Sequence, residues 1–289
     1  MELEEQFSTD EACKTYLFHL RWVNGFVCPR CQAKGNWHTT RERLTCRNCQ
    51  HQTTVTAGTI FQDTCKPLTM WFRAAWHITS QKNGVSAISL QQGLGLRSYE
   101  TAWTWLHKFR RAMVRLRRDR LRGSVEVDET YWGSEEGGVI GRQTERKVLI
   151  AVAVENTGKK IGRIRRKRIP DASREALRGF IREMVESGSV ICTDGWPAYC
   201  NLLGYTHHQQ IQRQQESGER LLPSVHQVVS LLKRWLLGTH QGAIGYAHLD
   251  YYLDEFTFRF NRRASKSRGK LFYRLLQQTV QVAPEPMIK

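Results

Sequence analysis

Ser124-Val125-Glu126-Val127-Asp128-Glu129-Thr130-Tyr131-Trp132 alternates short apolar residues with acids and follows the most basic run in the chain. On a strand of period two, Val125 and Val127 point one way and Glu126 and Asp128 the other, with Glu129 beginning a turn. A carboxylate near the end of a buried strand is costly unless something cationic faces it, and a divalent metal is the usual candidate. The same grammar recurs at Ser189-Val190-Ile191-Cys192-Thr193-Asp194-Gly195-Trp196, where an apolar strand ends in an acid and a glycine opens the turn that follows. Asp128 and Asp194 are therefore expected to share one divalent-metal site.

The segments around these strands set the fold expectation. Residues 147–154, Lys147 followed by seven apolar residues, read as a buried central strand, and Ile161 to Ile169 alternates apolar and basic residues, as an edge strand does. Ser173 caps a helix to about Ser187 with Leu177, Phe180, Ile181, Met184 and Val185 inward; the Asp194 strand and a short helix over Pro197 to Leu203 follow. Three antiparallel strands, a helix, a parallel strand and another helix is the order of a ribonuclease-H-like fold. In that fold, with its mixed five-stranded sheet, the first and fourth strands lie side by side, which brings Asp128 to Asp194. Gly133 to Gly141 reads as a glycine-rich hairpin, and His207 to Glu219 as a loop in which His207 and His208 are either exposed histidines or metal ligands. Ser224 to Leu237 is an amphipathic helix with Val225, Val228, Val229, Leu232, Trp235 and Leu236 as its apolar stripe. His226 and Lys233, two turns apart, align on its polar side. Leu249 to Arg263 is an aromatic helix ending in Asn261-Arg262-Arg263, and the tail after Val282 is expected to be mobile.

The bulk composition narrows the partner. A chain of 289 residues has room for two or three domains, and 44 Lys and Arg against 27 Asp and Glu leave a net charge of +17. That surplus calls for a polyanion, nucleic acid or an anionic membrane surface. No apolar run of about 18 residues exists to span a bilayer, and no basic amphipathic helix dominates, so a membrane is not an expected partner. The N-terminus, Met1-Glu2-Leu3-Glu4-Glu5, is acidic where a signal peptide is basic. A cytoplasmic protein follows, and in that compartment the eight cysteines suit metal ligation better than disulfides.

Four of those cysteines have a pattern. Cys28-Pro29-Arg30-Cys31 and Cys46-Arg47-Asn48-Cys49 are C-x2-C knuckles separated by fourteen residues, the spacing of a four-thiolate zinc ribbon on two short hairpins. One zinc there is structural, because four thiolates leave no open position. Cys13, Cys65, Cys192 and Cys200 lack the spacing and read as core residues. Ser8, with Glu11 three residues on, looks like the entry to an N-terminal helix reaching about Trp22. From Pro67 to about Arg122 the pattern is helical, broken at Gly84; a short helix, a glycine turn and a second, longer helix fit a helix-turn-helix or a plain helical hairpin. Lys108, Arg110, Arg111, Arg115, Arg117, Arg118, Arg120 and Arg122 fall within fifteen residues, and with so few acids to balance them phosphate contact is the expected use.

Val-Glu-Val-Asp-Glu-Thr-Tyr-Trp-Gly (125–133), Thr-Asp-Gly-Trp-Pro-Ala-Tyr (193–199), Leu-Lys-Arg-Trp-Leu-Leu-Gly-Thr-His (232–240) and Tyr-Leu-Asp-Glu-Phe-Thr-Phe-Arg-Phe-Asn-Arg-Arg (252–263) resemble bacterial insertion-sequence transposases. The group is the one that joins an N-terminal zinc ribbon to a DDE-type catalytic domain, and the resemblance covers nearly the whole chain. It implies an α/β chain of several domains: an N-terminal helix (1–24), the zinc ribbon (25–60), a helical DNA-binding segment (61–122), a ribonuclease-H-like catalytic domain (123–263) and a C-terminal tail (264–289). Asp128 and Asp194 take the family's first two metal-ligating positions. The third is often Glu with Lys or Arg seven residues on; here His226 and Lys233 stand there, as in variants with His or Asn in place of the acid, and Glu255 is a possible substitute acid on a later helix.

The implied chemistry is metal-dependent DNA strand cleavage and strand transfer at the ends of an insertion sequence, with two Mg²⁺ or Mn²⁺ ions. His226 either ligates metal as neutral imidazole, which favours Mn²⁺ tolerance, or orients the attacking water as a base. Lys233 holds a phosphate, and Lys108, Arg110, Arg111, Arg115, Arg117, Arg118, Arg234, Arg262 and Arg263 join it as candidate DNA contacts. The implied partners are double-stranded DNA and a second copy of the chain, in a homodimer or larger assembly in the bacterial cytoplasm at the nucleoid. The competing expectation is a DNA-binding regulator, or an inactive copy that binds without cutting.

Overall fold

The computed structural model describes residues 2–38, 43–115, 118–133, 147–158, 160–211, 221–242 and 244–284. The chain divides into two compact units, Met1–Arg115 with Ser265–Lys289, and Leu116–Ala264.

The first unit begins with α1 (Glu2–Gln6) and α2 (Asp10–Arg21). The cap of α2 is Thr9 rather than Ser8: its backbone is extended and its hydroxyl accepts the Ala12 N–H at 3.2 Å. Asp10 and Glu11 then sit in the first turn, where the helix dipole favours them. Three short antiparallel strands follow, β1 (Asn36–His38), β2 (Leu44–Cys46) and β3 (Gln52–Thr53), in that spatial order. Three helices come next: α3 (Leu68–Ser80), α4 (Ala87–Leu94) and α5 (Tyr99–Ala112). Ser86 and Ser98 cap the last two through their hydroxyls. Between α4 and α5, Gly95 takes a left-handed conformation (φ 62°), and its N–H closes on the carbonyls of Gln91 and Gln92.

The expected helix to Arg122 ends ten residues early. Leu121 explains why: it is fully buried, its N–H donates to Met184 O at 2.8 Å, and its carbonyl accepts the Glu186 N–H at 2.7 Å. A continued helix would give up that apolar burial and both bonds.

The second unit holds β4 (Ser124–Trp132), β5 (Val148–Thr157), β6 (Lys160–Ile169), α6 (Arg174–Met184), β7 (Val190–Thr193), β8 (Thr206–Gln209), α7 (Pro223–His240) and α8 (Leu249–Phe260). The sheet order is β6-β5-β4-β7-β8, with β4, β5 and β6 antiparallel and β4, β7 and β8 parallel. This is the mixed five-stranded sheet of a ribonuclease-H-like domain. One face carries Val125, Val127, Ala151 and Ile191 against Leu177, Phe180 and Ile181 of α6. The other carries Ile150, Val152, Val154 and Ile164 against Val225, Val228 and Leu232 of α7 and Leu253 and Phe256 of α8. Central β5 is covered on both faces, which is why it reads as an unbroken apolar run.

Two local expectations change. Glu129 does not begin a turn, since β4 continues in register with β5 to Trp132↔Val148. A fifth strand forms at Thr206–Gln209 where a loop was expected, paired with β7 from Val190↔Thr206 to Thr193↔Gln209. Residues 134–146, most of the expected hairpin, and 212–220 lie outside the described residues.

The outer margin of β6 is closed by the end of α8. Asn261 Oδ1 accepts the Ile164 N–H at 2.7 Å and its Nδ2 donates to Ile164 O at 3.2 Å. Arg263 donates to the carbonyls of Gly162 and Ile161. On the inner side, the β5–β6 ladder is irregular between Val154 and Asn156. There Gly162 lies so near β5 that a Cβ on it would stand 2.8 Å from Glu155 O. The Glu155 carboxylate accepts from Arg163 Nη2 at 2.7 Å and Nε at 2.9 Å, and from the Arg122 N–H at 3.1 Å.

The chain ends back in the first unit with α9 (Arg268–Thr279), which buries Leu271, Phe272, Leu275 and Leu276 against α2, α3 and α5. Residues 264–289 are therefore not simply a tail. Among the described residues no helix is long and apolar enough to cross a membrane.

Candidate active site

The strand register brings the two acids to the same level of the sheet. β4 and β7 pair as Ser124↔Val190, Val125↔Ile191 and Glu126↔Cys192, an offset that, carried two residues on, sets Asp194 opposite Asp128. Both are half-buried. Asp128 Oδ1 accepts the N–H of Glu129 at 2.8 Å, and Asp194 Oδ1 accepts that of Trp196 at 3.0 Å. Each carboxylate is thereby oriented by its own backbone. By alternation Asp128 shares a face with Glu126, the face that α7 covers.

Glu126 sets where α7 begins. It is 5% exposed; Oε2 accepts the Val225 N–H at 2.9 Å and Oε1 accepts from Asn156 Nδ2 at 2.8 Å. Pro223 opens the helix, and Leu222 before it takes a left-handed conformation (φ 44°) and offers no side-chain cap. A carboxylate at a helix N-terminus meets both its unpaired N–H groups and its dipole. His226 is the next residue after Val225 and is exposed; Lys233, two turns along, is half-buried. The first turn of α7 therefore hangs over the strand that carries Asp128, with His226 in that turn.

Glu255 does not join them. It is 1% exposed on α8, the helix over β6, and pairs with Arg259 at 2.8 Å. Beta6 lies two strands away from β4.

On the opposite face, the Tyr199 hydroxyl donates to Glu129 Oε2 at 2.6 Å. Burial, then the neighbouring Glu129 carboxylate, push the Tyr199 phenol well above its ordinary pKa, so it stays a donor. Thr193, at the end of β7, is 2.8 Å from His207 Nε2, and burial pulls that imidazole below its ordinary value. Neither Glu126 nor Glu129 was assigned from sequence. Alternation put Glu126 on the face of Asp128, but its partner Val225 lies 99 residues away.

The donor set fits hard divalent cations. Two half-buried carboxylates on adjacent parallel strands offer oxygen ligands, and the neighbouring helix offers only an imidazole.

The second metal centre is the ribbon. Ligand atoms of Cys28, Cys31, Cys46 and Cys49 lie within 4.8 Å of one another, with Cys28 Sγ 3.6 Å from Cys49 Sγ and Cys31 Sγ 3.6 Å from Cys46 Sγ. Asn48 donates its backbone N–H to Cys46 Sγ and its side-chain amide to Cys31 Sγ. Such donors favour thiolates and fit a structural zinc.

The basic candidates divide. Arg110 is 2% exposed, four residues after Leu106 on the buried stripe of α5, so the phosphate contact expected of it is not available. Lys108 is half-buried with Nζ 5.8 Å from the centre of the Trp71 ring. Arg118 is half-buried, its Nη2 3.7 Å from Met184 Sδ. Arg262 lies 4.1 Å over Phe258 and Arg263 4.0 Å over Phe260, both also bonded to backbone carbonyls. Arg111 is half-buried, Arg115 and Arg234 are exposed, and Arg117 lies outside the described residues.

Comparison with known proteins agrees with this layout. Residues 120–261 match an ISXO2-like transposase domain and residues 8–52 a transposase zinc-ribbon domain. An uncharacterized protein in transposable element ISH50 of Halobacterium salinarum is 24% identical over 303 residues, spanning 94% of this chain and 97% of its own length. Ribbon cysteines, sheet order and both family matches converge: the chain belongs to the insertion-sequence transposases that join an N-terminal zinc ribbon to a DDE-type domain.

Proposed function

We propose that the protein binds the ends of its insertion sequence and catalyses metal-dependent strand cleavage and strand transfer at Asp128 and Asp194. The observation that supports this reading is the β4–β7 register, whose offset, extended two residues past its last pair, brings Asp194 level with Asp128. When bound there, two divalent cations supply charge neutralisation at the phosphate and a more acidic attacking water. Asp128 and Asp194 would hold them through their carboxylate oxygens. His226, in the first turn of α7, would either add a ring nitrogen to the ligand set or take the proton from the attacking water. Lys233, two turns along α7, would hold a phosphate of the bound strand. Water attacks first and leaves a 3′-hydroxyl; that hydroxyl then attacks target DNA. Because two ends are cut together, two copies of the chain act in one assembly.

The zinc ribbon and the α4–Gly95–α5 segment would read the element ends, and exposed Arg115 and Arg234 would contact backbone phosphate. Imidazole is a softer ligand than carboxylate, so Mn²⁺ supports activity better here than in all-carboxylate sites. The experiment is strand cleavage and joining by purified protein on DNA bearing the element ends, in Mg²⁺ and in Mn²⁺, for wild type, Asp194→Asn and His226→Ala. Joined product from wild type alone supports the reading. Activity intact in His226→Ala removes both roles given to the imidazole. The missing third acid favours one other reading, a regulator or inactive copy, which would bind the ends tightly and leave every strand whole.

A further inference from the structure

The reading of Asp128 and Asp194 as a metal pair raises the question of what fixes their separation. Asp194 stands one residue beyond β7, after the last paired position of the β4–β7 ladder, so strand pairing alone does not hold it. The turn that carries it is tied down at several points. Asp194 Oδ1 accepts the Trp196 N–H, and Trp196 Nε1 donates to Ala172 O at 3.0 Å. Arg178 Nη2 donates to Cys200 O at 2.6 Å. These bonds fasten the turn to itself, to the segment before α6 and to α6. One side-chain hydrogen bond from this turn reaches β4: Tyr199 donates to Glu129, the residue next to Asp128.

We propose that Tyr199 and Glu129 are a positioning couple that sets the distance between Asp128 and Asp194, so that divalent-cation affinity depends on their half-buried phenol-to-carboxylate bond. The inference rests on the metal-pair reading above. Tyr199 is fully buried in the core between the sheet and α6, so its ring cannot move without moving the turn. Strand alternation sends the Glu129 side chain to the face opposite Asp128, which makes it a tether rather than a third ligand. A hydrogen bond from a phenol to an ionised carboxylate is short and strong. Two cations sharing ligands about 3.5–4 Å apart tolerate little drift in those ligands.

The test is Mn²⁺ binding to the full-length protein without DNA, followed by calorimetry, alongside the Mn²⁺ dependence of cleavage. Tyr199→Phe keeps the ring and removes the hydroxyl. Glu129→Ala removes the acceptor, and Glu129→Gln keeps one. Thermal melting of each variant establishes that it is folded. Tyr199→Phe and Glu129→Ala are each expected to weaken Mn²⁺ about 10-fold or more, the usual effect of losing a group that orients a ligand. The double variant is expected to be no weaker than Glu129→Ala alone, and Glu129→Gln to recover much of the affinity. In cleavage, the Mn²⁺ concentration for half-maximal rate rises, while the rate at saturating Mn²⁺ falls less. A folded Tyr199→Phe with wild-type Mn²⁺ affinity overturns the couple. A wild type that binds no Mn²⁺, or an Asp194→Asn that binds it equally well, overturns the metal-pair reading itself and the couple with it.

Discussion

The Glu126 carboxylate accepts the backbone N–H of Val225 at 2.9 Å and so caps a helix that has no cap of its own. The residue before the helix is Leu222, which has no acceptor to offer, and Pro223 has no N–H to satisfy. Glu126 therefore fixes the first turn of α7, where His226 stands. Glu126→Ala leaves the Val225 N–H and the Asn156 amide without this acceptor in a buried place. The expected loss is about 1–3 kcal/mol in chemical unfolding. Glu126→Gln, which still accepts one bond, loses less. Equal stability of wild type and the alanine variant would refute the cap.

The ribbon is expected to hold one zinc per chain. Removing it with a chelator, or replacing Cys31 with Ser, opens the site. Zinc content then falls, the remaining thiols react with an alkylating agent, and backbone amides of β1 to β3 lose protection from hydrogen exchange. Structural zinc contributes about 10–16 kcal/mol in small zinc-binding peptides, so the loss is not subtle. Four thiols that stay unreactive in the chelated protein would contradict it.

Acid stability should report on Glu155. Arg163 holds its carboxyl down to about 2 from an ordinary value of 4.5. A carboxylate with a depressed folded value stabilises the protein fully above its unfolded value and loses that contribution as pH falls toward the folded one. The contribution is thus complete above pH 4.5 and fades between there and about 2. Glu155→Gln should lower stability by on the order of 2 kcal/mol at neutral pH, with the gap closing through that window. Unfolding curves measured from pH 7 to pH 2 check the sign. A gap that stays constant would mean that charge has no part in it.

Gly162 has a steric role. A Cβ there would stand 2.8 Å from the carbonyl of Glu155, closer than real contacts allow, and that neighbour is backbone. Gly162→Ala should cost about 1–3 kcal/mol by spreading β5 from β6 at the irregularity. A melting temperature equal to wild type would show that the strands part without strain.

What could be read in advance was whatever local periodicity or spacing carries. Val125 to Asp128 announces its two faces by alternation, and the cysteine knuckles announce a ribbon by count. The order of elements was enough to set β4 beside β7. The remainder depended on partners distant in the chain. Thr206 to Gln209 has no apolar alternation, and its strand character comes from backbone pairing with β7. The basic run after Ala112 looked helical because arginine suits a helix, yet Leu121 is drawn into the core beside Met184. Arg110 read as one more surface charge although its position places it on the buried stripe of α5. Alpha9 carries its pattern openly in Leu271, Phe272, Leu275 and Leu276, but it lies beyond the last of the four motifs, and none of them points to it. In the candidate site, the two aspartates can be named from their strands, while the bonds from Glu126 to Val225 and from Tyr199 to Glu129 join residues too far apart in sequence for any spacing rule.

Asn261 pairs both backbone groups of Ile164 on the outer side of β6. A ten-residue marginal strand is otherwise a template on which a neighbouring chain can crystallise into fibre. One amide side chain at the end of α8 blocks that growth midway along the strand. That cover is expected to keep concentrated protein dispersed, so that an Asn261→Ala variant reopens the margin to another backbone.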